Sequence, residues 1–225
     1  MVKISNSGKN MHISDGILSP EWCIIWYALA AAFVIIGVIQ ISRKRKADPI
    51  YQSMIALMGA AVFVISVWHI PVPVAGSSSH PTGTPMAAMI LGPFPTVVIS
   101  AIALFFQVFL GHGGITTLGA NLMSMGIMGT FTGYFTFRAA KKMGASIWLS
   151  AGLGGLVGDL VTYVVAALEI ALSVNPSNVL HYWGLYTLEF MPTQIPLAIL
   201  EFAFTAATIQ YIAHHRPDIL KWWMK

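Results

Sequence analysis

The residues of this chain best suited to chemistry are its seven histidines: His12, His69, His80, His112, His181, His214 and His215. His12 follows Met11 in the segment MHISDGILSPEW. In a chain that begins at Met11, three nitrogens of this pair can hold one divalent ion: the free α-amine, the deprotonated backbone nitrogen of His12 and the His12 imidazole Nδ1. They form fused chelate rings, and the amide nitrogen enforces a flat arrangement. Tetragonal nitrogen coordination suits Cu(II) and Ni(II); Co(II) accepts the same donors. If residues precede Met11, the amine becomes an amide and one donor is lost. The ten that do, MVKISNSGKN, are polar, with none of the 7–15 apolar residues of a secretory signal. Residues 1–10 read as a disordered tail, a removed leader or the product of a mis-called start, and ligation by the amine requires one of the last two; 11–225 is expected to be a single membrane domain.

A fourth nitrogen must come from elsewhere. His80 sits in GSSSHPTGTP, where hydroxyls at Ser77, Ser78, Ser79, Thr82 and Thr84 surround it and can orient a ligand imidazole. His112, in LGHGGITTLGAN, is the other candidate. His69 ends an apolar run and His181 lies among aromatic residues. The single cysteine, Cys23, forbids an intramolecular disulfide and a Cys-rich metal site.

The elements that carry these residues are apolar. Of 225 residues, 56 % are hydrophobic and only 9 % charged, and the mean hydropathy is +0.74. Soluble domains carry about 25 % charged residues. A soluble enzyme, a disordered chain and a nucleic-acid binder are all disfavoured. Runs long enough to span a bilayer, about 20 residues, are Trp22–Ile41, Tyr51–Ile70, Thr117–Phe137, Ala145–Val174 and Phe190–Ala213, with Pro95–Leu110 slightly short. Asp159, Glu169 and Glu201 lie inside spans, where structural hydrogen bonding is the expected role.

The positive charges orient the spans. Arg43–Lys46, then Arg138, Lys141 and Lys142, then Arg216, Lys221 and Lys225 each follow a span, so these ends are cytoplasmic. Parity then requires one more crossing between Ile70 and Pro95: Thr84–Phe94, extended by the irregular stretch Gly76–Gly83. Irregular backbone at membrane depth occurs where protein buries it or a cavity wets it, which marks that stretch as a site. The expectation is an all-α polytopic membrane protein with seven transmembrane helices, N-terminus outside and C-terminus cytoplasmic. His214 and His215 then lie on the wrong side to join His12. A polar outer loop, Asn175–Thr187, is expected to hold Tyr182, Trp183 and Tyr186 at the headgroups.

MHISDGILSP, GSSSHPTGTPMAAMILGPFP and FQVFLGHGGITTLGANLMSMGIMG, in that order, resemble the CbiM/NikM family, the metal-capturing (S) subunits of energy-coupling-factor transporters for cobalt and nickel. The resemblance implies seven spans and a mature chain starting at the Met of the MH pair. It implies metal ligation by Met11, His12 and His80, with Ser78, Ser79, Thr82, His112 and Asn121 around them. The two loop motifs look more like the cobalt branch and the opening more like the nickel branch. The loops surround the metal, so Co2+ is the expected cargo, linked to cobalamin biosynthesis, with Ni2+ the alternative. The chain lacks a G-x-x-x-x-G-K-[ST] loop, so ATP acts only through partners. Those implied are a membrane coupling subunit, two ATPase subunits and a small accessory membrane subunit, in the cytoplasmic membrane. Ala28 and Ala32 form a small-xxx-small pair that the resemblance assigns to docking the coupling subunit. Gly154 and Gly158 repeat the pattern for internal packing. An intramembrane hydrolase built on GSSSH is the distant alternative.

Overall fold

A computed structural model describes residues 12–47, 49–68, 70–72 and 77–220. The leader 1–10, Met11, His69, Gly76, Lys221 and Lys225 lie outside the described residues, as do the side chains of Ser77 and Ser78. Helix α1 (Pro20–Ala47) opens on proline and Glu21 and closes on Lys44, Arg45 and Lys46, charges that complement the helix dipole at both ends. Helix α2 (Pro49–Val67) follows. It stops short of the expected Ile70, because Ile70–Val72 (β1) pairs antiparallel with Ser77–Ser79 (β2), Ile70 opposite Ser79. This ribbon of two three-residue strands sits within a chain that is otherwise helical, as expected.

Helix α3 (Thr84–Leu91) has eight residues, all buried. At 1.5 Å per residue it rises about 12 Å, well short of a hydrocarbon core of about 30 Å. Gly83 (φ 66°) precedes it and Gly92 (φ 93°) ends it, backbone conformations that glycine adopts without a Cβ clash. The chain turn at Gly92 places Pro93 and Phe94 in α4 (Pro93–Phe109) rather than in the preceding crossing. The terminal Leu91 carbonyl accepts from Lys44 Nζ and Tyr51 Oη, both at 3.1 Å, which satisfies an orphan acceptor of the helix end.

After the 110–117 loop, α5 (Leu118–Asn121), a π-helical segment (Leu122–Gly129) and α6 (Thr130–Lys142) run on as one rod. Within this segment the Met125 carbonyl accepts from the hydroxyls of Thr84 (3.1 Å) and Thr130 (3.3 Å). Helix α7 (Ile147–Val174) packs on this rod through glycine. A Cβ at Gly158 would lie 2.6 Å from the Gly129 carbonyl, and one at Gly154 2.7 Å from that of Gly133, so this small-residue pair serves internal packing.

Helix α8 (Val179–His215) has 37 residues and contains Pro192 and Pro196. It absorbs most of the expected loop; only Asn175–Asn178 separates α7 from α8. Trp183 Nε1 donates to the Val164 carbonyl (2.9 Å), and Asn175 donates to Tyr186 Oη (2.8 Å). These aromatics bind the first turns of α8 to α7, where a headgroup belt was expected.

By length and apolarity α1, α2, α7 and α8 can each cross a membrane, and α4 is a shorter apolar helix. One buried cluster joins Tyr51, Val62, Met89, Leu91, Ile99 and Phe137; a second lies under the N-terminal segment and contains Ile13, Leu18, Cys23, Tyr163 and Phe190. Along α1, Ile24, Leu29, Ile35 and Ile36 are exposed, with Ala28 and Ala32 among them.

Candidate metal centre

His12 is buried and has φ 59°, a left-handed backbone uncommon outside glycine. The surroundings enforce it. Asn121 grips the next residue from both sides: its Oδ1 accepts from Ile13 N (2.9 Å), and its Nδ2 donates to Ile13 O (3.1 Å). The Thr117 hydroxyl donates to the same carbonyl. Asp15 accepts from the backbone of Ile115 (3.2 Å) and Thr116 (2.8 Å) and from the Thr116 hydroxyl. Partial burial alone would raise the Asp15 carboxyl, but these bonds outweigh it and hold it below its ordinary value. Gly113 and Gly114 let the segment settle: a Cβ at Gly113 would press on His12, and one at Gly114 would overlap Asp15. The HGGITTLGAN loop is thus a cradle for the residues after Met11. His112 is half-buried at its edge, its N–H donating to the Gln107 carbonyl (3.0 Å).

His80 arrives from the other side and is 1 % exposed. Its N–H donates to Tyr163 Oη (2.7 Å), and the same hydroxyl donates to its carbonyl (3.1 Å). Two and three residues on, the N–H groups of Thr82 (3.1 Å) and Gly83 (2.9 Å) donate to Glu201 of α8, so one buried carboxylate closes both the loop and the start of α3. The Ser79 hydroxyl pairs with Thr193 (2.7 Å). Thr82 is fully buried, but its hydroxyl has no hydrogen-bond partner among the described residues; it is the Thr82 backbone that anchors the loop. Asp159, also fully buried, accepts from the Gln194 amide.

The two rings meet edge to face, His80 Nε2 lying 3.1 Å from His12 Nδ1. Their protonation follows from the partners behind them. His80 Nδ1 faces the Pro81 carbonyl at 3.0 Å, which only accepts, so Nδ1 carries the proton and Nε2 the lone pair. Behind His12 runs a chain with a defined direction. The Ser66 hydroxyl donates to the Val62 carbonyl and therefore accepts from Gln107 Nε2 (2.6 Å). That fixes the amide, so Gln107 Oε1 accepts from His12 Nε2 at 2.6 Å. His12 Nδ1 is left with its lone pair. At 3.1 Å the two nitrogens can share a proton as a hydrogen bond or, with both rings neutral, turn their lone pairs to one cation. With metal–nitrogen bonds of about 2.0–2.1 Å, this separation gives an angle of about 100° at a shared ion. Among the described residues, no group of three His, Cys, Asp or Glu side chains is placed to hold a metal.

Sequence reasoning missed Gln107, Ser66 and Tyr163. Gln107 carried a signal, as the lone amide in the apolar run ALFFQVFL; Tyr163 carried none. Replacing Gln107 with leucine is expected to lower metal affinity about 10–100-fold, the usual loss when an outer partner of a ligand histidine is removed. Titration of the purified variant measures it, and an affinity within twofold of the parent contradicts the orienting role.

Comparison with known proteins agrees with this architecture. Residues 12–219 match the family CbiM, described as the cobalt uptake substrate-specific transmembrane region. The chain is 44 % identical over 212 residues to the cobalt transport protein CbiM of Sorangium cellulosum, covering 93 % of this chain and 94 % of that one. It is 42 % identical to the CbiM of Geobacter sulfurreducens, of which it spans 61 %. A solved structure described as a truncated transition metal transporter superposes with a TM-score of 0.80 at 27 % identity, over 91 % of this chain and 99 % of that one. With its apolar helices, the chain is a multi-pass membrane protein and a transporter component, and it belongs to the CbiM family of cobalt-uptake transmembrane proteins.

Proposed function

We propose that this chain is the metal-capturing subunit of an energy-coupling-factor importer and binds divalent cobalt. The observation that carries the reading is the meeting of His12 Nδ1 and His80 Nε2 at 3.1 Å, with the other nitrogen of each ring held against an oxygen of Gln107 or Pro81. The α-amine of Met11 and the backbone nitrogen of His12 complete a four-nitrogen set, which requires a mature chain starting at Met11. Ser78, Ser79, Thr82, His112 and Asn121 belong to the shell that shapes the site. Seven crossings, with α3 and the irregular turn before it making the short one, put the metal face outside and the C-terminus in the cytoplasm. The importer sits in the cytoplasmic membrane and supplies cobalt for cobalamin biosynthesis. ATP is used by two partner ATPase subunits through a membrane coupling subunit, with a small accessory membrane subunit completing the assembly. Ala28 and Ala32, exposed on α1, offer a close-packing stripe for the coupling subunit.

Nickel is the alternative cargo, since imidazole suits both ions and Ni(II) binds such donors more strongly. The deciding experiment is calorimetric titration of the purified chain with cobalt and with nickel, alongside its intact mass. Stoichiometric cobalt binding by a chain beginning at Met11 is expected. Tight binding by a chain that retains residues 1–10 removes the amine from the ligand set, and failure to bind either ion ends the proposal.

A further inference from the structure

The three cations in the last turns of α6 have no part in the metal centre, yet they line a recess. Tyr134, Arg138 and Lys142 stand at i, i+4 and i+8 on α6, so they share one face. With Ile147 of α7 and Ala213 of α8 they enclose an open hollow of about 1060 Å³. Its rim includes Phe135, which is 59 % exposed. Among the described residues, no acidic side chain lines it. Lys141 is spent on the Ala145 carbonyl at 3.3 Å. Arg138 and Lys142 are exposed, and the ion pair among the described residues is Arg216–Asp218, elsewhere. The hollow thus offers two uncompensated cations and a phenol above an apolar wall. It opens where α6 ends and α7 begins, at the boundary of the apolar segments.

We propose that this recess binds the headgroup of an anionic glycerophospholipid. The Arg138 guanidinium matches a phosphodiester in a bidentate manner. Lys142 adds a point charge, the Tyr134 hydroxyl a further donor, and Phe135 and Ile147 receive the start of the acyl chains. Basic pockets between membrane helices bind anionic headgroups in this way. The apolar rim favours a lipid over an acidic soluble protein. The inference rests on the membrane-spanning character of the chain and is independent of the metal-binding reading.

The test titrates the full chain, in neutral detergent, with dioleoyl-phosphatidylglycerol, dioleoyl-phosphatidylcholine or inorganic phosphate, reading melting temperature and lipid adducts by native mass spectrometry. Phosphatidylglycerol is expected to bind and stabilise the parent. The double change Arg138→Gln with Lys142→Gln is expected to weaken it about tenfold to thirtyfold, and Lys142→Gln alone less. The control pair Arg43→Gln with Arg45→Gln, exposed cations on α1, should bind like the parent. Equal binding of phosphatidylcholine, or undiminished phosphatidylglycerol binding by both Lys142→Gln and the double variant, overturns the site. Displacement by millimolar inorganic phosphate assigns the recess to a soluble phosphate instead. A parent that binds no lipid leaves it to an acidic partner surface, and the proposal fails.

Discussion

Cobalt binding is expected to disappear in His12→Ala and to weaken by more than about 100-fold in His80→Ala, beyond the loss from removing an outer partner. The two changes are not equivalent. In the proposed ligand set His80 supplies one nitrogen, from a loop that Tyr163 and Glu201 hold independently of the metal. In the same set His12 would supply its imidazole and also close the ring that forces the chelate flat. Removing it leaves an open amine–amide pair and empties the contact with Gln107. His214→Ala, at the far end of α8, should bind like the parent. Acidification should release the ion, because protons compete for the same lone pairs. Titration of the three variants in detergent, followed by uptake with the partner subunits, decides the matter. If His80→Ala binds and transports normally, the fourth nitrogen lies elsewhere and His112 is the next residue to change.

The second large effect is on stability. Glu201→Ala removes the acceptor for the N–H groups of Thr82 and Gly83, both in a segment sealed from water. Each unpaired buried donor costs about 1–3 kcal/mol, so roughly 2–6 kcal/mol in all is expected. The damage is placed where it matters, since these donors lie two and three residues beyond His80. Glu201→Gln keeps one acceptor oxygen and should be intermediate. Thermal melting without metal, with cobalt affinity measured in parallel, tests this. A melting temperature for Glu201→Ala equal to that of the parent would show that water or another group satisfies the donors.

Much of this protein is written in patterns a few residues long. Burying a helix in lipid takes a long uncharged run, and α1, α2 and α7 follow those runs closely. The glycines at 154 and 158 are spaced to face one neighbour, and they do. His80 stood out because an irregular, hydroxyl-rich backbone within an apolar region needs internal partners. The placement of residues 179–187 in α8 was less legible. Their polar and aromatic composition suits a loop, and what makes them helical is docking of Trp183 and Tyr186 on α7, a contact that composition does not encode.

The sequence by itself determined the apolar spans, the basic clusters that end them and the short list of nitrogens able to hold a metal, because hydrophobicity, charge and ligand chemistry belong to residue types. Only the tertiary structure decided which of those nitrogens meet and in which protonation state. His12 and His80 are brought together over 68 positions, and their lone pairs are set by Gln107 and Ser66 from two other helices and by the Pro81 carbonyl. The π-helical segment likewise receives a hydroxyl from α3, 41 positions away. Such groups carry no local periodicity: a hydrogen bond is defined by distance and direction in space, and for these partners both exist only once the helices have packed.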